Sequence, residues 1–390
     1  MDFASKILID DLAAGFRRMN WRFKSAAIVA FCKKRHQKLL ISSLYLTPMK
    51  RILIIRLTAM GDVAMTVPAV AALRAQYPDL KISILTTPFF QAFFREVPDL
   101  DFVAFDKKGR HKGLGGIVRL WKDIRKQYKI TDVADLHNVL RSKLLRTLFR
   151  LSGAHIATID KGRAEKKALT LIENKVRIPL EPTIERYADV LGQLGHPVEI
   201  PERAERNPQP VPEAIIEIAG KKSGTWIGIA PFAQHQGKIY PLAKLGKIVE
   251  NLSQKENTTL FIFGGGPKEQ AVADEWAGKY PNTISAIGKI RLPGELDLIS
   301  NLDCMVSMDS SAMHMASLYG IPVISVWGAT HPYAGFMGWG QSEENAVQLD
   351  LPCRPCSIYG NKPCIYGDYR CMGGITPEMI ESKIGKVTGK

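Results

Sequence analysis

The chain has 390 residues, 46% of them apolar and 23% charged, which is enough to bury a substantial core and excludes a disordered chain. A balance of 53 Lys and Arg against 38 Asp and Glu leaves a net charge of +15, favouring an acidic partner such as nucleic acid, an anionic membrane surface or a phosphorylated substrate. Six cysteines in so long a chain argue against a disulfide framework and for a reducing cytoplasm.

Residues 1–48 hold nine Lys and Arg against three Asp, so much of the basic excess sits on an N-terminal extension. Leu12, Phe16, Met19 and Phe23 fall on one helical face and Arg18, Arg22 and Ser25 on another, which predicts a basic amphipathic helix. The apolar run Ala26–Cys32 precedes Lys33-Lys34-Arg35, the reverse of an export signal. Three readings of the extension stay open: a helix packed on the body of the protein, attachment to an anionic membrane surface, or a segment ahead of a true start at Met49.

From Arg51 onward, β-branched runs alternate with helical patterns, the signature of parallel sheets covered on both faces. Strands are predicted at Ile52–Ile55, Ile82–Leu85, Phe102–Phe105 and Thr131–Ala134, with helices such as Ala69–Gln76 and Ile117–Gln127 between them. A stretch containing Pro197, Pro201, Pro208, Pro210 and Pro212 reads as a linker. The alternation then restarts at Trp226–Ile229, Leu260–Phe263, Cys304–Ser307 and Val323–Val326. Ser310–Ser342 carries no Asp, Glu, Lys or Arg, but two prolines, two histidines and five glycines break it into a buried strand with its loops, so it does not span a membrane. A last helix can be capped by Thr376, with Pro377 at its first position and Glu378 next. The expected organisation is an extension over 1–48, doubly wound domains over 49–205 and 206–374, and a terminal helix over 375–390.

In such domains ligands bind beyond the carboxyl ends of the strands. After the first strand comes Arg56-Leu57-Thr58-Ala59-Met60-Gly61-Asp62, which is not a dinucleotide fingerprint; Asp62 there suits a general base or, alternatively, a helix cap. Lys238 follows the Trp226 strand in a position open to a phosphate, or simply to water. The Leu260 strand runs into Gly264-Gly265-Gly266-Pro267-Lys268-Glu269, a turn that admits a phosphate or ribose. Asp309-Ser310-Ser311 opens a helix bearing His314, which suits an anion and sugar hydroxyls or, equally, helix capping and a buried histidine. Cys353, Cys356, Cys364 and Cys371 could form a structural zinc site, a group of buried thiols or a redox-labile cluster.

Met49–Arg56 leading into Met60-Gly61-Asp62 and Pro68-Ala69, then the Lys238 loop, Gly264–Glu269, Asp309–His314 and Val323–Gly328 with Thr330 and Pro332, resemble glycosyltransferase family 9 over about residues 49–390. The resemblance implies a GT-B architecture: two Rossmann-like domains facing a cleft, with the C-terminal helix packing back on the first. It also implies inverting, metal-independent transfer of a heptose from an ADP-heptose donor to the inner core of lipopolysaccharide, with no cofactor. By the same resemblance Asp62 is the base, Lys238 meets the donor phosphate and Glu269 the ribose. Asp309 then holds the sugar, with Gly265, Ser310, Ser311 and His314 completing the donor site. Ser310-Ser311 stands where the family often has Thr-Gly. Arg141 and Lys143, in the helix after Asp135-Leu136-His137-Asn138, are the candidate acceptor contacts, with a solvated basic helix face as the alternative. Such an enzyme would work in the cytoplasm, on the inner face of the membrane holding its acceptor. Two rival readings are another nucleotide-sugar enzyme on the same frame, such as an epimerase, and a nucleic-acid module, for which no motif is present.

Overall fold

The computed structural model describes residues 50–389; the extension and its amphipathic pattern lie outside them. The first half builds β1 (Arg51–Ile55), α1 (Met60–Ala64), α2 (Val67–Gln76), β2 (Lys81–Thr86), a 3₁₀ segment (Pro88–Phe94), β3 (Leu100–Ala104) and α3 (Gly113–Gln127). It continues with β4 (Asp132–Asp135), α4 (Leu140–Leu151), β5 (His155–Thr158), α5 (Arg163–Leu169) and α6 (Thr183–Gln193). All neighbours are parallel, in the order β3-β2-β1-β4-β5.

The second half comprises α7 (Glu213–Ala219), β6 (Thr225–Ala230), α8 (Leu242–Ser253), β7 (Thr258–Ile262), α9 (Pro267–Lys279), β8 (Thr283–Ser285) and α10 (Leu292–Ser300). It is completed by β9 (Cys304–Met308), α11 (Ser311–Ser317), β10 (Val323–Val326), β11 (Ala346–Val347), α12 (Arg370–Gly373) and α13 (Pro377–Thr388). This sheet is also parallel throughout, in the order β11-β10-β9-β6-β7-β8. The eight predicted strands are present, Val323–Val326 with the expected ends and the other seven with shifted ends. The unpredicted β5, β8 and β11 are short edge strands, too brief and too polar to show an apolar run.

Side-chain alternation sorts the core. From β1, Ile52 and Ile54 face one side and Leu53 and Ile55 the other. The Leu53 side packs under α3 and α4, through Ile117, Leu120, Leu145 and Phe149. The Ile52 side is continuous with the second half, where Trp226, Phe261, Leu296, Ala312 and Met315 belong to the same buried cluster. The two sheets therefore share one hydrophobic interface.

The C-terminal helix corrects an expectation. Ile380 and Ile384 of α13 bury against the far face of the second sheet, with Ile248, Val306 and Ile324, rather than against the first domain. An amphipathic pattern shows that a helix has an apolar face, not which sheet lacks a cover. The predicted Thr376 side-chain cap is also not made. The proline-rich linker ties the halves together instead. Tyr77 at the end of α2 donates to the Pro197 carbonyl (2.8 Å), and Trp339 in the second half donates to that of Pro201 (2.7 Å).

Candidate functional site

Beyond β1, Arg56 and Asp62 form the first half of the site. Asp62 is the third residue of α1, so it is not that helix's N-cap; its carboxylate accepts the Ala59 N–H (3.1 Å) and closes the first turn. Arg56, only 7% exposed, lies 2.5 Å from the same carboxylate and donates to the Leu136 carbonyl at 2.6 Å. Burial alone would raise the Asp62 pKa, but the Arg56 charge and the Ala59 N–H outweigh it and hold the carboxyl below its ordinary value. Asp62 thus stays ionised at neutral pH, with 31% of its side chain still exposed.

The second half approaches through α11. A Cβ on Gly61 would sit 2.8 Å from His314 Cδ2 and 3.4 Å from Ser311 Cα, so glycine allows α1 to lie against α11 and brings Asp62 beside the Ser310-Ser311 turn. His314 is fully enclosed, and burial, partly offset by Asp309 and Asp62, lowers its pKa to about 4. It is therefore a neutral imidazole. Behind it, Lys238 Nζ lies 2.8 Å from Asp309 Oδ2, an ion pair out of hydrogen-bond alignment. The Lys238 stem runs over Gly360 (φ +72°), where a Cβ would meet Lys238 Cγ at 2.6 Å.

The glycine loop after β7 is held by its own helix: Glu269 accepts the Gly265 N–H at 2.7 Å. A Cβ on Gly265 would meet no protein atom, which leaves the space beside it open. Asp62, Lys238, Gly265, Glu269, Asp309, Ser310, Ser311 and His314 line one cleft of about 1420 Å³, with walls from both halves. Glu295 of α10 lines it too, its pKa raised by burial to about 7. At the far wall, Arg95 bridges the halves through Asp297 (2.5 Å), the Pro293 carbonyl (3.0 Å) and the Tyr319 hydroxyl (2.9 Å).

Asp62 also borders a smaller cavity of about 220 Å³, lined by Arg56, His137, Lys161, Lys166, Arg186 and Tyr359 among others. Burial, then Arg186, pulls the Lys166 pKa down to about 8; burial, then Arg56 and Lys161, takes His137 to about 3. Arg141 and Lys143 line neither cavity; both are exposed on α4. The cations at this cavity are instead Arg56, Lys161, Lys166 and Arg186. The sequence reading missed Lys161 and Lys166 because it missed β5, whose carboxyl-end loop leads to them. The four C-terminal cysteines are free thiols, and among the described residues no group of three or more His, Cys, Asp or Glu converges to hold a metal ion.

Two doubly wound parallel sheets whose carboxyl ends meet across one cleft make the GT-B fold, the frame of a large class of glycosyltransferases. The profile of glycosyltransferase family 9 (heptosyltransferase) matches residues 117–366, and the chain belongs to this family. It is 23% identical over 340 residues to lipooligosaccharide heptosyltransferase 2 of Campylobacter jejuni, covering 85% of this chain and 97% of that protein. It is 24% identical over 312 residues to lipopolysaccharide heptosyltransferase 3 of Escherichia coli K12, covering 74% and 84% respectively. Among solved structures, a family 9 glycosyl transferase from Veillonella parvula superposes with a TM-score of 0.68 at 19% identity, covering 87% of this chain and 97% of that one. The E. coli heptosyltransferase WaaC with ADP does so with a TM-score of 0.59 at 18% identity, covering 86% and 99%.

Proposed function

We propose that the protein is an inverting glycosyltransferase that moves a heptose from ADP-heptose to the inner core of lipopolysaccharide, acting at the cytoplasmic face of the membrane that holds its acceptor. One observation carries this reading. An ionised Asp62 from the first sheet and Lys238, Asp309 and Glu269 from the second line a single cleft, each beyond the carboxyl end of a strand. The relatives support the substrate class: those matched in sequence are heptosyltransferases of lipopolysaccharide or lipooligosaccharide, and WaaC has been solved with ADP-2-deoxy-2-fluoro heptose.

In this reading the donor diphosphate lies against Lys238 and the backbone of Ser310 and Ser311, the ribose reaches Glu269, and Asp309 holds the transferred sugar. The acceptor enters past the smaller cavity, where Lys161, Lys166 and Arg186 receive its anionic groups. Its hydroxyl oxygen attacks the anomeric carbon from the face opposite the diphosphate. The bond from that carbon to the phosphate oxygen breaks, and the hydroxyl proton passes to Asp62. ADP leaves with added negative charge, which Lys238 and the Ser310–Ser311 backbone stabilise without a metal ion.

The test is ADP-heptose consumption with a soluble inner-core acceptor, the product's anomeric configuration being read by NMR. Inversion is expected, and Asp62→Asn should lower turnover by at least about a hundredfold while ADP still binds. Failure to consume ADP-heptose, or an Asn variant that keeps most of its turnover, would refute the assignment.

A further inference from the structure

The exposed apolar side chains are not scattered. Of the twelve large ones among the described residues, four lie within eight residues after α5: Leu171, Ile172, Val176 and Ile178, the second being 76% exposed. Three more, Tyr359, Ile365 and Tyr366, lie in the loop that precedes α12. Ion pairs and hydrogen bonds tie the first stretch to the beginning of that same loop, at residues 350–355. Lys175 Nζ donates to the carbonyls of Cys353 (2.7 Å) and Pro355 (2.9 Å), while Arg177 pairs with Asp350 (3.1 Å) and donates to the Leu351 carbonyl (2.7 Å).

The smaller cavity lies beside both, lined by α5, which leads into the first stretch, and by Tyr359 of the loop. Lys161 and Lys166 enter it from just before and within α5, and Tyr359 enters it from the other loop. The first stretch and its helix are basic: residues 163–178 carry Arg163, Lys166, Lys167, Lys175 and Arg177 against Glu165 and Glu173. Lys362 and Arg370 extend this beside Asp368. A monomeric soluble protein rarely gathers apolar side chains in this way, and isoleucines ringed by cations suit the boundary between acyl chains and anionic headgroups. A second copy of the same chain would bring these cations against one another.

From this juxtaposition we infer that the rim formed by residues 163–178 and 359–370 docks on an anionic lipid bilayer, with its isoleucines in the acyl boundary and the exposed Arg163, Lys167 and Lys362 on the headgroups. The smaller cavity then opens toward the bilayer, so an acceptor still embedded there reaches Asp62 without being extracted. This deepens the transferase reading and rests on it for the acceptor, but lipid docking itself does not require that reading.

The test uses the full chain and vesicles of phosphatidylcholine with about one-third phosphatidylglycerol, compared with phosphatidylcholine alone. The triple variant Ile172→Glu, Ile178→Glu, Ile365→Glu should lose at least about tenfold in partitioning to anionic vesicles. Lys167→Glu with Lys362→Glu should weaken binding to anionic vesicles only, and less so at high salt. In the triple variant, turnover of a soluble acceptor should be unchanged and turnover of a vesicle-embedded acceptor should fall. A triple variant that sediments with anionic vesicles as wild type does overturns the inference. So does a triple variant that breaks a dimer in sedimentation velocity without altering vesicle binding. If ADP-heptose is never consumed yet vesicle binding still depends on these isoleucines, the transferase reading fails and the docking surface stands.

Discussion

Gly61→Ala adds one methyl group at the contact between the two halves of the site. That carbon would lie 2.8 Å from His314 Cδ2, about 0.7 Å inside the ~3.5 Å at which non-bonded carbons first sit comfortably. His314 cannot swing away, since it is enclosed between α1 and the body of the second half, and Ser311 Cα stands at 3.4 Å behind it. The two helices must therefore separate by several tenths of an ångström, carrying Asp62 away from the Ser310-Ser311 turn. Overpacking of this kind costs about 1–3 kcal/mol, and a misplacement of about 1 Å in a reacting pair can cost on the order of 10²-fold in rate. The expected result is a tenfold to hundredfold loss of turnover, with ADP affinity nearly kept because Lys238, Glu269 and Asp309 all belong to the second half. Turnover and ADP titration measure the two effects, and His314→Ala in the same chain should restore part of the stability by reopening the space. Wild-type turnover in Gly61→Ala would show that the contact does not set the geometry of the site.

Arg56→Gln removes the charge that holds Asp62 ionised, so the acidic limb of the kcat/KM profile, expected below the ordinary carboxylate range in the wild type, should move to higher pH. An unmoved limb would assign it to another group. Lys238→Ala should weaken ADP binding by about 10–100-fold, while excess EDTA leaves wild-type activity unchanged. Activity that EDTA abolishes and Mg²⁺ restores would contradict this account of the leaving group. Lys166→Met should raise the KM for a charged acceptor by about tenfold or more with ADP affinity unchanged, and an equal effect on both substrates would place Lys166 outside the acceptor path.

Much of the architecture was legible in the sequence, because parallel strands buried on both faces must be apolar along their length. Ile52–Ile55, Trp226–Ile229 and Val323–Val326 advertise themselves for that reason, and the loops after them can be searched for chemistry. The candidates Asp62, Lys238 and Asp309 were picked out in this way, along with the helix start at Ser310 and Ser311, Glu269 being added by the family resemblance, and the structure brings them all to one cleft. Edge strands such as His155–Thr158 escape the same search, since half of their surroundings is solvent or loop, and with β5 went the loop to Lys161 and Lys166. Arg141 and Lys143 illustrate the converse. A basic helix looks the same in sequence whether it faces a substrate or water, and here both side chains face outward from α4. Only the tertiary structure decided which sheet α13 covers, that Arg56 pairs with Asp62, and that a missing Cβ at Gly61 lets the two halves of the site touch. These are contacts between residues far apart in the chain, set by packing complementarity, and no local periodicity or spacing encodes them.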